Sequence, residues 1–426
     1  MRKFRFLHCA DLHIDSPFKG LALLDKELAA ACREATFRAC ERIVDIALEQ
    51  QVDFVTVGGD IYDGAERSLR AAVFFRDQMT RMAQRGIPVC IVAGNHDPLD
   101  SLIAPVRFPE NVHLFGDQPE FVPVVRKDFE IARVHGISFP TARVEENLAL
   151  RLKPGSNAPF AIGLLHCNVA GQSGHENYAP CALDDLIHSG MDAWCLGHVH
   201  AYGLLSPSRP LVVYPGNPQG RHINEAGQRG CTLVGVDELG NISTQFIPVH
   251  QARWERVEVD ISEFEDVDGL LAGVEDRLCS ASAGGPEDLL VARIRWHGRG
   301  PLHDWLSLQK PEDLRTMLQE RLTMSTSRLC IESLENATGA SIDRYSLLLQ
   351  ESFVGDFLRL IEEARQGGPA LNAVLDSLSE LFENRLCRRF LTDGPVVAAM
   401  MGDQSAIRAL LDDAETLALD YLMPET

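Results

Sequence analysis

The sequence predicts an α/β fold followed by a smaller α+β unit and a helical tail, and three observations support this. Over the first part of the chain, short apolar runs that end in polar residues alternate with stretches of helical periodicity. The pattern changes at Trp254, and from Phe353 onward amphipathic helical stretches follow one another. We therefore expect domains over residues 1–250, 251–338 and 339–426.

The first domain opens with strands and helices in alternation. Residues 4–9, 55–57 and 87–93 are apolar runs typical of buried strands, and residues 32–50 and 71–82 between them have apolar side chains at helical spacing. This β-α-β-α-β order predicts right-handed crossovers with helices that cover a sheet. Further strands are expected at 121–125, 129–137, 160–165, 193–196, 211–214, 231–236 and 242–249, and a helix near 142–152.

The remaining elements are predicted in the same way. Strands are expected at 254–260, 289–296 and 327–333, and helices at 267–278 and 313–322. The tail has amphipathic stretches near 353–361, 371–382 and 407–418, separated by Gly367–Pro369 and Gly394–Pro395. The last stretch has one apolar stripe, which must pack either on the chain's own core or on a partner.

Composition indicates a globular protein of more than one domain. The chain has 426 residues, of which 45% are hydrophobic and 24% are charged. No run approaches the ~18 apolar residues of a membrane span, and the apolar run at 4–9 is too short for a signal peptide, so we expect a cytoplasmic protein with no membrane partner. The eleven cysteines form no CxxC pair, which favours reduced thiols over a disulfide or zinc framework.

The formal net charge is −21, and no region of the chain is basic. The sequence therefore lacks the broad cationic surface that supplies most of the affinity of nucleic-acid-binding proteins. If nucleic acid is the substrate, metal ions, local arginines or a partner must supply the attraction.

Potential metal ligands follow five of the predicted strands. They lie in Asp11-Leu12-His13, Gly59-Asp60, Gly94-Asn95-His96-Asp97, His166 and Gly197-His198-Val199-His200. Carboxylate, amide and imidazole groups are the donors that hard and borderline divalent metals prefer. Each motif alone is weak evidence, because acidic residues also favour turns, but the five together predict a two-metal centre. In an extended segment His198 and His200 would face the same side.

In their order along the chain, these motifs resemble the calcineurin-like metallophosphoesterase superfamily. Two further segments, Cys9 to Pro17 and Tyr214 to His222, resemble its SbcD-like DNA repair exonuclease branch, and the YhaO-type members of that branch most closely. The resemblance implies a metallophosphoesterase-type α-β-β-α sandwich. It also implies that residues 251–338 form a capping domain and that residues 339–426 form a helical partner-docking region.

The resemblance further implies a ligand set. Asp11, His13, Asp60 and His200 would hold one divalent metal ion, and Asp60, Asn95, His166 and His198 would hold the other, with Asp60 as the bridge. Because all of these ligands are oxygen or nitrogen donors, Mn²⁺ suits the set better than a metal that prefers thiolates.

Four other residues are candidates for catalysis or substrate binding. His96 either donates a proton to the leaving group or contacts the phosphate, with an orienting role as the alternative. Asp63, the other candidate catalytic residue, stands where archaeal and eukaryotic relatives have a histidine. Arg221 and His222 either contact a DNA phosphate or belong to a solvated loop.

The ligand motifs together with the resemblance thus imply a metal-dependent phosphodiesterase that acts as a DNA exonuclease in DNA repair. The resemblance extends this to endonuclease activity, a homodimer and an SMC-like ATPase partner of the SbcC or YhaN type. Two other functions stay open: a phosphoesterase acting on a small-molecule or protein phosphate, and an inactive scaffold for the ATPase. The capping unit and the 214–222 segment argue against the first, and the intact ligand set argues against the second.

Overall fold

The computed structural model describes residues 2–18, 21, 26–64, 68–101, 106–155, 158–171, 176–282, 289–325, 329–383 and 404–422. Its strands are β1 (Phe4–Cys9), β2 (Phe54–Val57), β3 (Val89–Ile91), β4 (Val112–Leu114), β5 (Glu120–Arg126), β6 (Phe129–Gly136), β7 (Ala161–His166), β8 (Ala193–Gly197), β9 (Gly203–Ser206), β10 (Leu211–Tyr214), β11 (Gly230–Val236), β12 (Ile242–Pro248), β13 (Ala252–Asp260), β14 (Leu289–Arg299) and β15 (Leu329–Gly339). Its α-helices are α1 (Lys26–Glu49), α2 (Leu69–Ala83), α3 (Leu183–Ile187), α4 (Val267–Ser282), α5 (His303–Leu308), α6 (Pro311–Ser325), α7 (Arg344–Leu348), α8 (Phe353–Gln366), α9 (Pro369–Glu383) and α10 (Gln404–Leu422).

Two six-stranded sheets contain the first twelve strands. The first has the order β12-β11-β1-β2-β3-β4, in which β1 to β4 are parallel and β11 runs antiparallel to β1. The second has the order β5-β6-β7-β8-β10-β9, with β6, β7, β8 and β10 parallel. Parallel strands separated by helical crossovers confirm the predicted α/β class.

The buried side chains show how these sheets are layered. Phe6 of the first sheet and Leu164 of the second belong to one apolar cluster between the sheets. Because side chains alternate along a strand, Leu7 lies on the opposite face, where it shares a second cluster with Phe37 of α1. Trp194 belongs to a third cluster, on the outer face of the second sheet, which also includes residues of α3. These clusters confirm the predicted α-β-β-α sandwich.

The chain divides into two compact units. The first comprises residues 1–257, 274–294 and 311–334, and the second comprises residues 258–273, 295–310 and 335–426. A third sheet has the order β13-β14-β15, and its strands run through both units. The division into domains at 1–250, 251–338 and 339–426 stays a prediction.

The helical tail has a small core of its own. Ile407 and Leu411 of α10 are buried against Ile361 and Ala364 of α8. Leu417 remains 59% exposed. The chain itself therefore covers Ile407 and Leu411 of the stripe predicted on the last helix, whereas Ala414 and Leu417 are exposed, so the first of the two predicted alternatives holds for part of the stripe.

Several local predictions were wrong or fall outside the described residues. The helix expected near 142–152 is a 3₁₀ turn at Leu148–Arg151. Strands β4 and β9 and helices α3, α5 and α7 were not predicted, because each is short and none has the continuous apolar run that marks short strands such as β2 and β10. The predicted break at Gly394–Pro395 lies outside the described residues. Among the helices that are described, none combines the length and the apolar character that a membrane span requires.

Candidate metal centre

The candidate ligands lie at or just beyond the carboxyl ends of β1, β2 and β3 in the first sheet and of β7 and β8 in the second. Backbone hydrogen bonds continue beyond the paired strands β1 and β2. The Asp11 N–H donates to the Gly59 carbonyl at 3.0 Å, and the His13 N–H donates to the Asp60 carbonyl at 3.0 Å. The loop after β1, which carries Asp11 and His13, is therefore held beside the loop after β2, which carries Asp60.

Four of the candidate ligands have a left-handed backbone conformation. Their φ angles are 53° at Asp11, 43° at His13, 52° at Asp60 and 97° at His198. Such a conformation costs about 1–3 kcal/mol for a residue other than glycine and is concentrated at functional sites. Because β8 ends before His198, these two histidines do not lie in the extended segment for which the sequence predicts that His198 and His200 face the same side. Their rings nevertheless both reach the centre.

Two glycines allow the loops to approach each other closely. A Cβ on Gly94 would collide with the Asp60 carboxylate and lie 2.8 Å from the ring of His166. Gly59 has a φ of 95°, and a Cβ there would lie 2.8 Å from His166 Nδ1. The sequence therefore needs glycine at both positions to let the ligand side chains converge.

The donor atoms form two neighbouring groups around Asp60. On one side, His13 Nε2 lies 3.3 Å from His200 Nε2 and 3.9 Å from Asp60 Oδ2. On the other side, Asp60 Oδ2 lies 3.5 Å from His166 Nε2. Asp60 thus lies between the two groups, in the place predicted for a bridging ligand.

The three other predicted ligands complete these groups. Asn95 Oδ1 lies 2.9 Å from His166 Nε2 and 3.2 Å from His198 Nδ1. Asp11 forms one cluster with His13 and His200 and another with Asp60 and His166, each with ligand atoms within 4.8 Å of one another. The structure therefore brings all seven predicted ligands together.

Outer hydrogen bonds set the orientation of three of the histidine rings. His166 Nδ1 donates to the Gly58 carbonyl at 2.8 Å, and His198 Nε2 donates to the Glu176 carbonyl at 2.7 Å. His200 Nδ1 donates to Glu225 Oε1 at 2.7 Å. A neutral imidazole that donates from one nitrogen has a lone pair on the other. In each ring that other nitrogen faces the centre, which is the usual arrangement of metal-binding histidines.

The electrostatics of the buried groups also fit a cationic occupant. Burial and the neighbouring Asp60 carboxylate raise the pKa of Asp11. Burial lowers the pKa of His13 and of His166, and His13 Nδ1 is a buried nitrogen without a hydrogen-bond partner among the described residues. Divalent cations would stabilise the ionised carboxylates and bind the neutral imidazoles. The donor set therefore fits two divalent metal ions.

His96 and Asp63 form a pair at the edge of the centre. His96 Nδ1 lies 3.3 Å from Asp63 Oδ1, and the His96 ring centroid is 4.9 Å from that of His13. The interaction with Asp63 raises the pKa of His96, and the same interaction holds the pKa of Asp63 below its usual range. Asp63 also accepts a hydrogen bond from Ser16 Oγ at 3.0 Å. These contacts suit Asp63 to orient His96 and to favour its protonated form.

Asp97, which follows His96, forms hydrogen bonds with the backbone of the loop after β2 and with that of the loop after β3. Its carboxylate accepts hydrogen bonds from the Ile61 N–H at 2.7 Å and the Gly94 N–H at 2.9 Å. Asp97 therefore acts on the backbone that positions Asp60, as an orienting residue would.

Arg221 and His222 differ in their surroundings. Arg221 Nη1 lies 3.7 Å from Asp63 Oδ2, its Nη2 lies 3.5 Å from Glu225 Oε1, and 16% of its side chain is exposed. His222 has 55% of its side chain exposed and lies 3.4 Å from the same Glu225 oxygen. Arg221 is thus held beside the centre, whereas His222 has the exposure expected of a solvated loop.

Glu225 is a buried residue of the centre that the sequence did not reveal. Besides His200, it accepts hydrogen bonds from the Arg221 N–H at 2.7 Å and from Asn217 Nδ2 at 2.8 Å. Burial opposes its ionisation, but His200 and Arg221 hold the pKa of Glu225 below its usual range. It lies in a short 3₁₀ turn. A single glutamate in such a turn forms no sequence pattern that would mark it as part of a site.

Replacing Glu225 tests its orienting role. Glu225→Gln should weaken Mn²⁺ binding by roughly 10–100-fold, the usual effect of losing the partner that orients a metal-binding histidine. The fold should persist, because glutamine has nearly the same shape. Calorimetric titration would measure the affinity, with the exposed Glu238→Gln as a matched control. Wild-type affinity in Glu225→Gln would contradict the role.

The sequence matches known proteins over most of its length. Residues 4–202 match the calcineurin-like phosphoesterase family, and residues 254–339 match the middle domain of metallophosphoesterase YhaO. The chain is 39% identical to an uncharacterized metallophosphoesterase YhaO of Bacillus subtilis, over 72% of this chain and 74% of the relative.

Two more distant relatives are nucleic-acid enzymes or repair proteins by name. One is the SbcD component of the nuclease SbcCD of Bacillus subtilis, 22% identical over 59% of this chain and 69% of the relative. The other is the DNA double-strand break repair protein Mre11 of Thermoplasma acidophilum, 25% identical over 68% of this chain and 76% of the relative.

Proposed function

Because the chain belongs to the calcineurin-like metallophosphoesterase family, we propose that it is a two-metal phosphodiesterase that hydrolyses DNA. The observation that carries this proposal is the pair of donor groups that share Asp60, since two adjacent divalent metals form a site for phosphoester hydrolysis. The names of the distant relatives support DNA as the substrate. Mn²⁺ suits the oxygen and nitrogen donors.

We assign the ligands to two metals as the family resemblance implies. The first metal would be held by Asp11, His13, Asp60 and His200, and the second by Asp60, Asn95, His166 and His198. When bound, the two ions polarise the phosphate, activate a water molecule and stabilise the leaving oxygen. Proton donation to the leaving oxygen and hydrogen bonding to the phosphate are assigned to His96, Asp63 and Arg221 at the edge of the centre.

His96 is the proposed proton donor. Its side chain is 38% exposed, so a substrate can reach it. Asp63 holds Nδ1 and raises the pKa of the ring, which leaves the Nε2–H to protonate the leaving oxygen. Arg221 places a guanidinium beside this pair, where it can donate hydrogen bonds to a phosphate oxygen.

Digestion assays test the substrate. End-labelled duplex and single-stranded DNA should be degraded with Mn²⁺ present and remain intact with a chelator. Bis-p-nitrophenyl phosphate provides a diester without a nucleoside. The net charge of −21 favours one alternative, a phosphoesterase for a small phosphate compound. Hydrolysis of the small diester without cleavage of DNA would support that alternative, and hydrolysis of neither would indicate an inactive scaffold.

An SMC-like ATPase is the proposed partner, and exposed apolar side chains of the tail are the proposed contact. Tyr345, Leu349 and Phe353 are 73%, 69% and 72% exposed and lie in or between α7 and α8. Exposed apolar groups of this kind mark protein interaction surfaces when they are contiguous. We also propose that the chain forms a homodimer, as the resemblance implies.

A double substitution tests the tail contact. Leu349→Ser with Phe353→Ser should reduce copurification with the ATPase by at least tenfold while DNA cleavage by the isolated chain is unchanged, because both side chains lie outside the tail core. Leu239→Ser, at a position 85% exposed in the first unit, is the matched control. Full binding by the double variant would contradict this contact.

A further inference from the structure

An apolar pocket of about 220 Å³ adjoins the metal centre within the first unit. Its walls are Tyr62 after β2, Ala72 on α2, Phe108 and Leu114. His96 also lines this pocket, so the pocket and the candidate metal centre share one side chain. A cavity of this size holds far more than one water molecule but is smaller than the pockets that enclose a whole ligand.

The charges on its lining limit what can enter. Among the residues that the structure describes, the lining includes the carboxylates of Asp63 and Asp97 and contains no lysine or arginine. A neutral planar group could pack on the aromatic side chains of this lining. The ring of Phe108 is itself supported, since its centroid lies 5.8 Å from that of Phe75 in an edge-to-face contact. The pocket therefore suits a neutral aromatic group.

We propose that this pocket binds a nucleobase next to the scissile phosphodiester, an inference that rests on the proposed function. His96 lines the pocket and lies beside His13 of the candidate metal centre, so a nucleoside bonded to a phosphate at the centre can reach the pocket on the His96 side. The phosphate would lie at the centre near Arg221, and the base would enter between Tyr62 and Phe108. Aromatic side chains bind bases of any sequence by stacking.

Occupation of the pocket has a consequence for substrate choice. A base can enter it after leaving the helical stack, and unstacking is easiest at a frayed end or in unpaired DNA. The pocket therefore favours cleavage at termini and in single-stranded segments over cleavage within an intact duplex.

Binding of nucleotides tests the pocket without relying on DNA cleavage. With Mn²⁺ present, deoxyadenosine 3′- or 5′-monophosphate should bind at least roughly 10-fold more tightly than the matching base-free deoxyribose phosphate, as expected for one stacked base. Ala72→Leu should abolish this preference by filling the pocket, without changing the affinity for the base-free compound. Phe108→Ala should also reduce it. Thr80→Leu, at an exposed position of the same helix, should keep it.

The outcomes separate this inference from the proposed function. If the wild type binds nucleotides and base-free phosphates equally well, or if Ala72→Leu weakens the binding of both equally, the proposal that the pocket binds a base would be overturned. A base preference that Ala72→Leu removes, in a protein that does not cleave DNA, would support the pocket and contradict the assignment of DNA as substrate.

Discussion

Asp60→Asn should remove most of the bound metal and nearly all phosphodiesterase activity. The Asp60 carboxylate lies between the histidines of both donor groups, 3.9 Å from His13 Nε2 and 3.5 Å from His166 Nε2. Asparagine retains one uncharged oxygen, so it lacks the charged carboxylate that bridges the two ions. The loss should exceed the 10–100-fold effect expected when a residue that only orients a ligand is replaced.

Elemental analysis after gel filtration measures this effect. The exposed Asp117→Asn serves as a matched control, and circular dichroism verifies that both variants are folded. Two metals per chain at wild-type occupancy in Asp60→Asn would show that Asp60 is not the bridge.

His96→Ala should lower turnover by roughly 10²–10⁴-fold while both metals stay bound, since a positioned proton donor contributes about this much. His96 lies beside the donor groups and is held by Asp63. Asp63→Asn should lower turnover in the same direction but by less, because the imidazole remains.

Single-turnover rates at saturating Mn²⁺ measure this effect, and metal analysis of each variant separates chemistry from metal binding. His113→Ala, which removes a partly exposed histidine of β4, is a suitable control. Near-normal turnover of His96→Ala would reduce His96 to an orienting residue.

The fold was predictable where elements were long and strongly patterned. The alternation of Phe6 and Leu7 places one side chain between the sheets and the other beneath α1, and both positions are apolar in the sequence. Local pattern could not show that β1 and β7 belong to different sheets, because sheet membership depends on pairing between distant residues. The 3₁₀ turn at Leu148–Arg151 was mistaken for a helix because a few apolar residues fit either spacing.

The sequence identified the candidate metal ligands as motifs at the ends of strands. It did not identify the groups that orient these ligands. Asp11 and His200 stand in short polar motifs after apolar runs, which is a local signal. Glu225 and the Glu176 carbonyl hold their histidines across 25 and 22 residues of chain, so no local pattern identifies them. The left-handed conformation of His198 is likewise imposed by tertiary structure.

Anomalous diffraction from crystals soaked in Mn²⁺ is the most direct test of the two-metal centre. We expect two peaks about 3.5–4 Å apart, the separation typical of two-metal hydrolytic sites. One peak should lie beside His13 and His200 and the other beside His166 and His198, with Asp60 contacting both. A single peak, or two peaks of which either lies away from Asp60, would contradict the two-metal centre.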